Sequence, residues 1–85
     1  MNKPYAVPVN ALFGADVVTQ LVMLRSNDTI AKAIEKVAHH SVGRRIPRRD
    51  ADMALHYQGG VVAPTLTVEE AGITPLQFVY VDYTS

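Results

Sequence analysis

The chain has 85 residues, a formal net charge of zero and no cysteine. That length suits one domain, 1–85, burying only roughly 60% of the surface its unfolded chain exposes, with no disulfide to reinforce it. The even charge gives no general attraction to nucleic acid, and nothing approaches the roughly 18 consecutive apolar residues of a membrane span.

Met1-Asn2-Lys3-Pro4 leads into no apolar run of signal-peptide length, so a cytoplasmic chain is expected. A core this small also raises the expectation that a partner contributes stability. Tyr5 to Phe13 reads as a strand flawed by Pro8, which lacks a ladder donor and belongs at an edge or before regular pairing starts. Gly14-Ala15-Asp16 signals a turn. Val17 to Arg25 is the stronger strand, near enough for a hairpin with the first. Its Val17, Leu21 and Met23 point one way, and Val18, Val22 and Leu24 the other. A strand apolar on both faces is usually covered on both.

The stretch from Thr29 to Arg45 has helical periodicity. Ile30, Ala33, Ile34, Val37, Ala38 and Ser41 recur at spacings of three and four, while Lys32, Glu35, Lys36 and His39 fall off that stripe. Asp28 or Thr29 can cap its start, and Gly43 is a plausible stop. A charged connection with Pro47 follows. Met53 to Gln58 and Val61 to Ala63 are short strands around a Gly59-Gly60 turn. Thr67 and Glu70 form a capping-box pattern for one helical turn before Pro75. Leu76 to Tyr83 is the last strand, with Phe78, Tyr80 and Asp82 on one face and Val79, Val81 and Tyr83 on the other. Strand, strand, helix, strand, strand, turn, strand is the order of an α+β β-grasp, or ubiquitin-like, fold: a mixed sheet of about five strands with one main helix. The first and last strands then pair in parallel at the sheet centre.

Site chemistry is sparse. Adjacent His39 and His40 point about 100° apart on a helix and cannot share a metal by themselves. Glu35 and His39 share a face, but zinc or di-iron sites need more ligands than two. Ser41 lacks a nucleophile elbow, and Gly59-Gly60 lacks the lysine and setting of a phosphate loop. Arg44, Arg45, Arg48 and Arg49 concentrate charge without interleaved aromatics and are followed by Asp50 and Asp52, a pattern of a solvated face or ion-paired protein interface rather than a nucleic-acid patch. One helix can cover only one sheet face. Phe78 and Tyr80, with Leu21 or Met23, then fall on the other, where a contiguous apolar patch marks a protein contact.

Two resemblances follow from these residues. Asn27-Asp28-Thr29-Ile30, Ile46-Pro47 and the run from Thr65-Leu66 to Val81 resemble ubiquitin, though the chain ends Asp82-Tyr83-Thr84-Ser85 rather than in a reactive Gly-Gly. More closely, and over nearly the whole chain, it resembles the gamma subunit of bacterial multicomponent toluene and alkene monooxygenases, the toluene-4-monooxygenase system B protein family. Gln20-Leu21-Val22, Asn27-Asp28, Glu35-Lys36-Val37-Ala38 through His40 to Arg44-Arg45, Pro64, Glu70-Ala71-Gly72-Ile73 and Pro75 carry that resemblance. Gly43 stands where Asn is common, and Ala63-Pro64-Thr65-Leu66 where a Phe-Pro-Arg segment is usual, which leaves the hydrocarbon open among toluene, alkenes and isoprene.

The family resemblance implies a structural subunit without catalytic, cofactor or metal residues of its own. It implies a large helical partner holding a carboxylate-bridged di-iron centre, and a metal-free homologue of that partner. A Rieske ferredoxin, an NADH-dependent reductase and a small effector protein complete such systems; neither nucleic acid nor membrane is implied. Partner-binding candidates are Leu21, Met23, Phe78 and Tyr80 on the sheet, with His40, Arg44 and Arg45 as a rim. The alternative is a ubiquitin-like regulatory or adaptor module binding another protein.

Overall fold

The computed structural model describes residues 3–14, 18–39 and 52–84. Five strands and one helix occur in the order β1 (Ala6–Phe13), β2 (Gln20–Arg25), α1 (Ile30–His39), β3 (Met53–Tyr57), β4 (Gly60–Val61) and β5 (Phe78–Tyr83). They form one sheet in the order β2-β1-β5-β3-β4. β1 and β5 pair in parallel at its centre, with Ala11 opposite Val79 and Phe13 opposite Val81, and the other pairings are antiparallel. This is the β-grasp order expected from the sequence.

Alternation along each strand sends one side chain set to the helix and the other away from it. Val7, Val9, Ala11 and Phe13 of β1, Val22 and Leu24 of β2, Leu55 of β3, and Val79 and Val81 of β5 are buried. They meet Ile30, Ala33, Ile34, Val37 and Ala38, the apolar stripe of α1. Burying a side chain the size of Ile30 or Leu55 is worth about 1.5–3 kcal/mol. Val68 and Ile73, from the segment after β4, join the same core. Tyr83 packs its ring edge-on to Phe13, with centroids 5.4 Å apart.

The start of α1 depends on distant residues. The Ile30 and Ala31 amides donate to the carbonyls of Leu66 (2.7 Å) and Pro64 (3.1 Å). Thr29 is the cap, its Oγ1 accepting from the Lys32 amide at 3.2 Å. Amides that a helix end leaves without partners are thus satisfied by the loop before Val68. That loop is itself fixed by the expected capping box: the Thr67 amide donates to Glu70 Oε1 (2.9 Å), and the Glu70 amide to Thr67 Oγ1 (3.1 Å).

Several sequence readings shift. Pro8 lies in an interior strand, opposite Met23 of β2. The Ser26 amide bonds the Tyr5 carbonyl, so by alternation the odd positions of β1 face β2 and Pro8 faces β5. The β1–β5 register begins only at Asn10, so the missing donor falls before that pairing starts. β2 begins at Gln20, and Val18 and Thr19 lie outside it. The β3–β4 turn is centred on Gln58 and Gly59, both at positive φ (52° and 81°), and Gly60 is already in β4. Two central residues of that kind make the turn whose twist matches a hairpin. β5 begins at Phe78 because Leu76 sits at φ 67°. Leu76 follows Pro75 in a turn closed by the Gln77 amide on the Thr74 carbonyl (3.3 Å), and a proline followed by a positive-φ residue is the type II pattern. The expected helix stop at Gly43 and the charged connection after it lie outside the described residues.

Candidate functional site

The face away from α1 carries the alternate residues of every strand. Strand register aligns them in rows. Leu21, Asn10 and Phe78 lie side by side across β2, β1 and β5. Leu12, Tyr80, His56 and Val61 form the next row across β1, β5, β3 and β4. Met23 lies beside Pro8 on the other flank of the first row. Relative exposure is 60% for Leu21, 54% for Met23 and 52% for Phe78. These three side chains stand in solvent although their chain neighbours Val22, Leu24 and Val79 are buried. The sheet therefore has one face packed on a helix and a second that is substantially apolar, where water contact would select polar residues.

The two kinds of position on this face differ. Leu21, Met23 and Phe78 project freely. Tyr80 is half-buried, packs its ring against His56 with centroids 5.5 Å apart, and donates its hydroxyl to Asp82 Oδ2 at 3.0 Å. That hydrogen bond to the carboxylate, helped by burial and by the negative charge of Asp82, raises the Tyr80 pKa above the usual phenol value, so the hydroxyl keeps its proton. Asp82 Oδ1 in turn accepts from the Tyr83 amide at 2.8 Å. Asn10 interrupts the apolar row, its Nδ2 donating to the Leu76 carbonyl at 3.0 Å.

Of the partner-binding candidates, Leu21, Met23, Phe78 and Tyr80 are brought to one face. His40, Arg44 and Arg45 lie outside the described residues. Leu12 and Val61 belong to the same face and were missed. Their parity was readable, but their position beside Tyr80 and His56 needs the strand order. A second feature also escaped the sequence. Leu21, Val22 and Met23 line an open groove with Lys32, Glu35, Lys36 and His39 of α1. Glu35 and His39 do share a helix face, but in company with two lysines. Among the described residues no group of three or more His, Cys, Asp or Glu side chains could hold a metal. No helix among them is long and apolar enough to cross a membrane.

Strand order and helix placement together define a ubiquitin-like, β-grasp fold, which structures only 13% and 14% identical share. A narrower relationship comes from the sequence: the family profile of toluene-4-monooxygenase system protein B (TmoB) matches residues 6–83. The chain belongs to that family. It is 35% identical over 76 residues to the gamma subunit of the hydroxylase component of the toluene-4-monooxygenase system of Ectopseudomonas mendocina, covering 87% of this chain and 90% of that protein. A shorter match, 48% identical over 40 residues, is to the gamma subunit of the oxygenase component of the alkene monooxygenase system of Xanthobacter autotrophicus strain ATCC BAA-1158 / Py2, spanning 47% of this chain and 46% of that protein. Among solved structures, a chain of the toluene 4-monooxygenase HD complex with the inhibitor 4-bromobenzoate superimposes with a TM-score of 0.88 at 32% identity, covering 93% of this chain and 99% of that one. Relatives of this chain are therefore gamma subunits of toluene and alkene monooxygenases.

Proposed function

We propose that this chain is the non-catalytic gamma subunit of a di-iron monooxygenase hydroxylase that oxidises aromatic or alkene hydrocarbons with O2, and that its outer sheet face packs on the large helical subunit. The observation that carries the reading is the exposure of Leu21, Met23 and Phe78 on one face of a chain whose relatives are hydroxylase subunits. The reading puts the di-iron centre in the large subunit and routes no chemical step through this chain; among the described residues no group of three or more His, Cys, Asp or Glu could hold a metal. Its part is to bind. A metal-free homologue of the large subunit completes the hydroxylase, and a Rieske ferredoxin, an NADH-dependent reductase and an effector protein serve it. Tyr80, held by Asp82 and His56, gives the face a rigid aromatic, the kind of group that anchors protein interfaces at low entropic cost. An adaptor role finds support only in distant ubiquitin-like structures, which speak to fold alone.

The test is co-expression with the genes of the large and metal-free subunits from the same organism. The chain is expected to co-purify with them in fixed stoichiometry, with the iron in the large subunit and none in the chain purified alone. Recovery of a fully active, iron-loaded hydroxylase that never retains this chain would overturn the reading.

A further inference from the structure

The sheet has two edges, and they are not alike. β4 is two residues long and offers almost nothing to pair with. β2 is six residues long and contains no proline; its one charged residue, Arg25, stands at its end, so the stretch before it lacks the groups that usually blunt an edge. In the β1–β2 ladder the Ser26 amide bonds the Tyr5 carbonyl, so the even positions of β2 point their backbone groups at β1 and the odd positions point outward. Arg25, the last of these, is closed off: its amide donates to Asp28 Oδ2 (2.9 Å), and its carbonyl accepts from the Asp28 amide (3.0 Å). The outward N–H and C=O of Leu21 and Met23 have no partner among the described residues. These four groups repeat at the spacing of one strand, about 7 Å apart. Directly beside them runs the groove bounded by Lys32, Glu35, Lys36 and His39 of α1.

We infer that the outer edge of β2 accepts an extended segment of the large hydroxylase subunit as a sixth strand, seated in the groove between β2 and α1 and hydrogen-bonded to Leu21 and Met23. The inference rests on the reading that the chain docks in a hydroxylase, and specifies how. Strand addition takes affinity from main-chain hydrogen bonds and specificity from alternate side chains. On the outer side, the segment's side chains lie next to Leu21 and Met23 and are apolar, continuing the exposed face. On the helix side they meet the polar wall of α1, where Lys32 pairs with Glu35 and Lys36 with Asp28, so charge is balanced there and the segment's inward side chains are small or polar. Asp28 closes the edge at Arg25, so the added ladder ends after Met23.

Residue-resolved hydrogen exchange on the co-expressed hydroxylase, compared with the isolated full chain, tests this. The Leu21 and Met23 amides are expected to exchange at least about tenfold more slowly in the assembly, while those of Val22 and Leu24, already bonded to β1, change little. Assembly with unaltered exchange at Leu21 and Met23 would overturn strand addition and leave the gamma-subunit reading intact. Protection equally strong in the isolated chain would also overturn it, since the edge would then be covered by the chain itself. Failure to assemble at all removes both readings. A pair of variants separates backbone from side chain. Met23→Pro deletes an amide that β1 does not use and should weaken assembly at least tenfold beyond Met23→Ala. Equal losses for the two would count against the added strand. Should the proline variant fail to fold, the exchange comparison still decides.

Discussion

Asp28 and Lys36, eight positions apart, form an ion pair that ties the end of β2 to the middle of α1. Burial is the largest single influence on the Asp28 carboxyl and acts to raise its pKa. The hydrogen bonds from Lys36 and from the Arg25 amide, with the charges of Lys36 and Lys32, together outweigh it and hold the pKa below the ordinary carboxylate value. A pKa lower in the folded state gives stability that is complete above the unfolded value, about 3.9, and is lost as the pH falls through the folded value. Asp28→Asn should therefore cost about 1–2 kcal/mol near neutrality. In urea titrations that deficit should stay level down to about pH 4 and shrink only below it. A deficit that already shrinks between pH 7 and 5 would contradict the assignment.

Gly14 is required by a close approach rather than by its backbone angle. A Cβ there would lie 2.3 Å from Asp82 Cγ, and that carboxylate is pinned by the Tyr80 hydroxyl and the Tyr83 amide. Gly14→Ala should destabilise by about 1–3 kcal/mol, the usual cost of forcing atoms into filled space. The loss should be smaller in an Asp82→Ala background, because the obstacle is gone, and a double-mutant cycle measures the difference.

Leu76 pays for its place at φ 67° while standing 63% exposed. Left-handed backbone costs a non-glycine residue about 1–2 kcal/mol, against which glycine loses more chain entropy on folding. Leu76→Gly should raise stability by up to about 1 kcal/mol, read as a higher denaturation midpoint. Leu76→Val, with branching at Cβ, should lower it.

Phe78→Lys separates folding from docking. With the ring half in solvent, the change in stability should stay within about 0.5 kcal/mol. Retention of the large subunit on the tagged chain should fall at least about tenfold, since one buried charge in an apolar contact costs more than 1.4 kcal/mol. Unchanged retention would move the docking face elsewhere.

Much of this was readable in the sequence, for physical reasons. The stripe from Ile30 to Ala38 and the alternation in Phe78–Tyr83 are imposed by burial, and burial leaves a periodic mark. The Thr67–Glu70 capping box is local and was recognisable from spacing alone. Gln58 and Leu76 were misjudged because an L-residue at positive φ leaves no signature when a glycine or proline stands beside it and accounts for the turn. The partners of the Ile30 and Ala31 amides were unreadable because they are carbonyls, which every residue has. The outer position of β2 was equally hidden: Leu21 and Met23 look the same in an edge strand and a central one, and only the strand order distinguishes them.

The parallel pairing of β1 with β5 has a consequence for biosynthesis. Phe13 meets Val81 across the middle of the sheet, so the sheet cannot close until the chain through β5 has left the ribosome. Domains are made at about 5–20 residues per second, and for several seconds β1 and β2 must exist without their neighbour. During that interval β1 presents its β5-facing side as a temporary edge, beside the edge of β2 that persists in the finished fold. A chain released before β5 is made would expose both, whereas the folded sheet keeps β1 covered and leaves β2 as an outer strand. Maturation thus narrows where another chain can attach, and folding itself determines when this protein is ready to be incorporated.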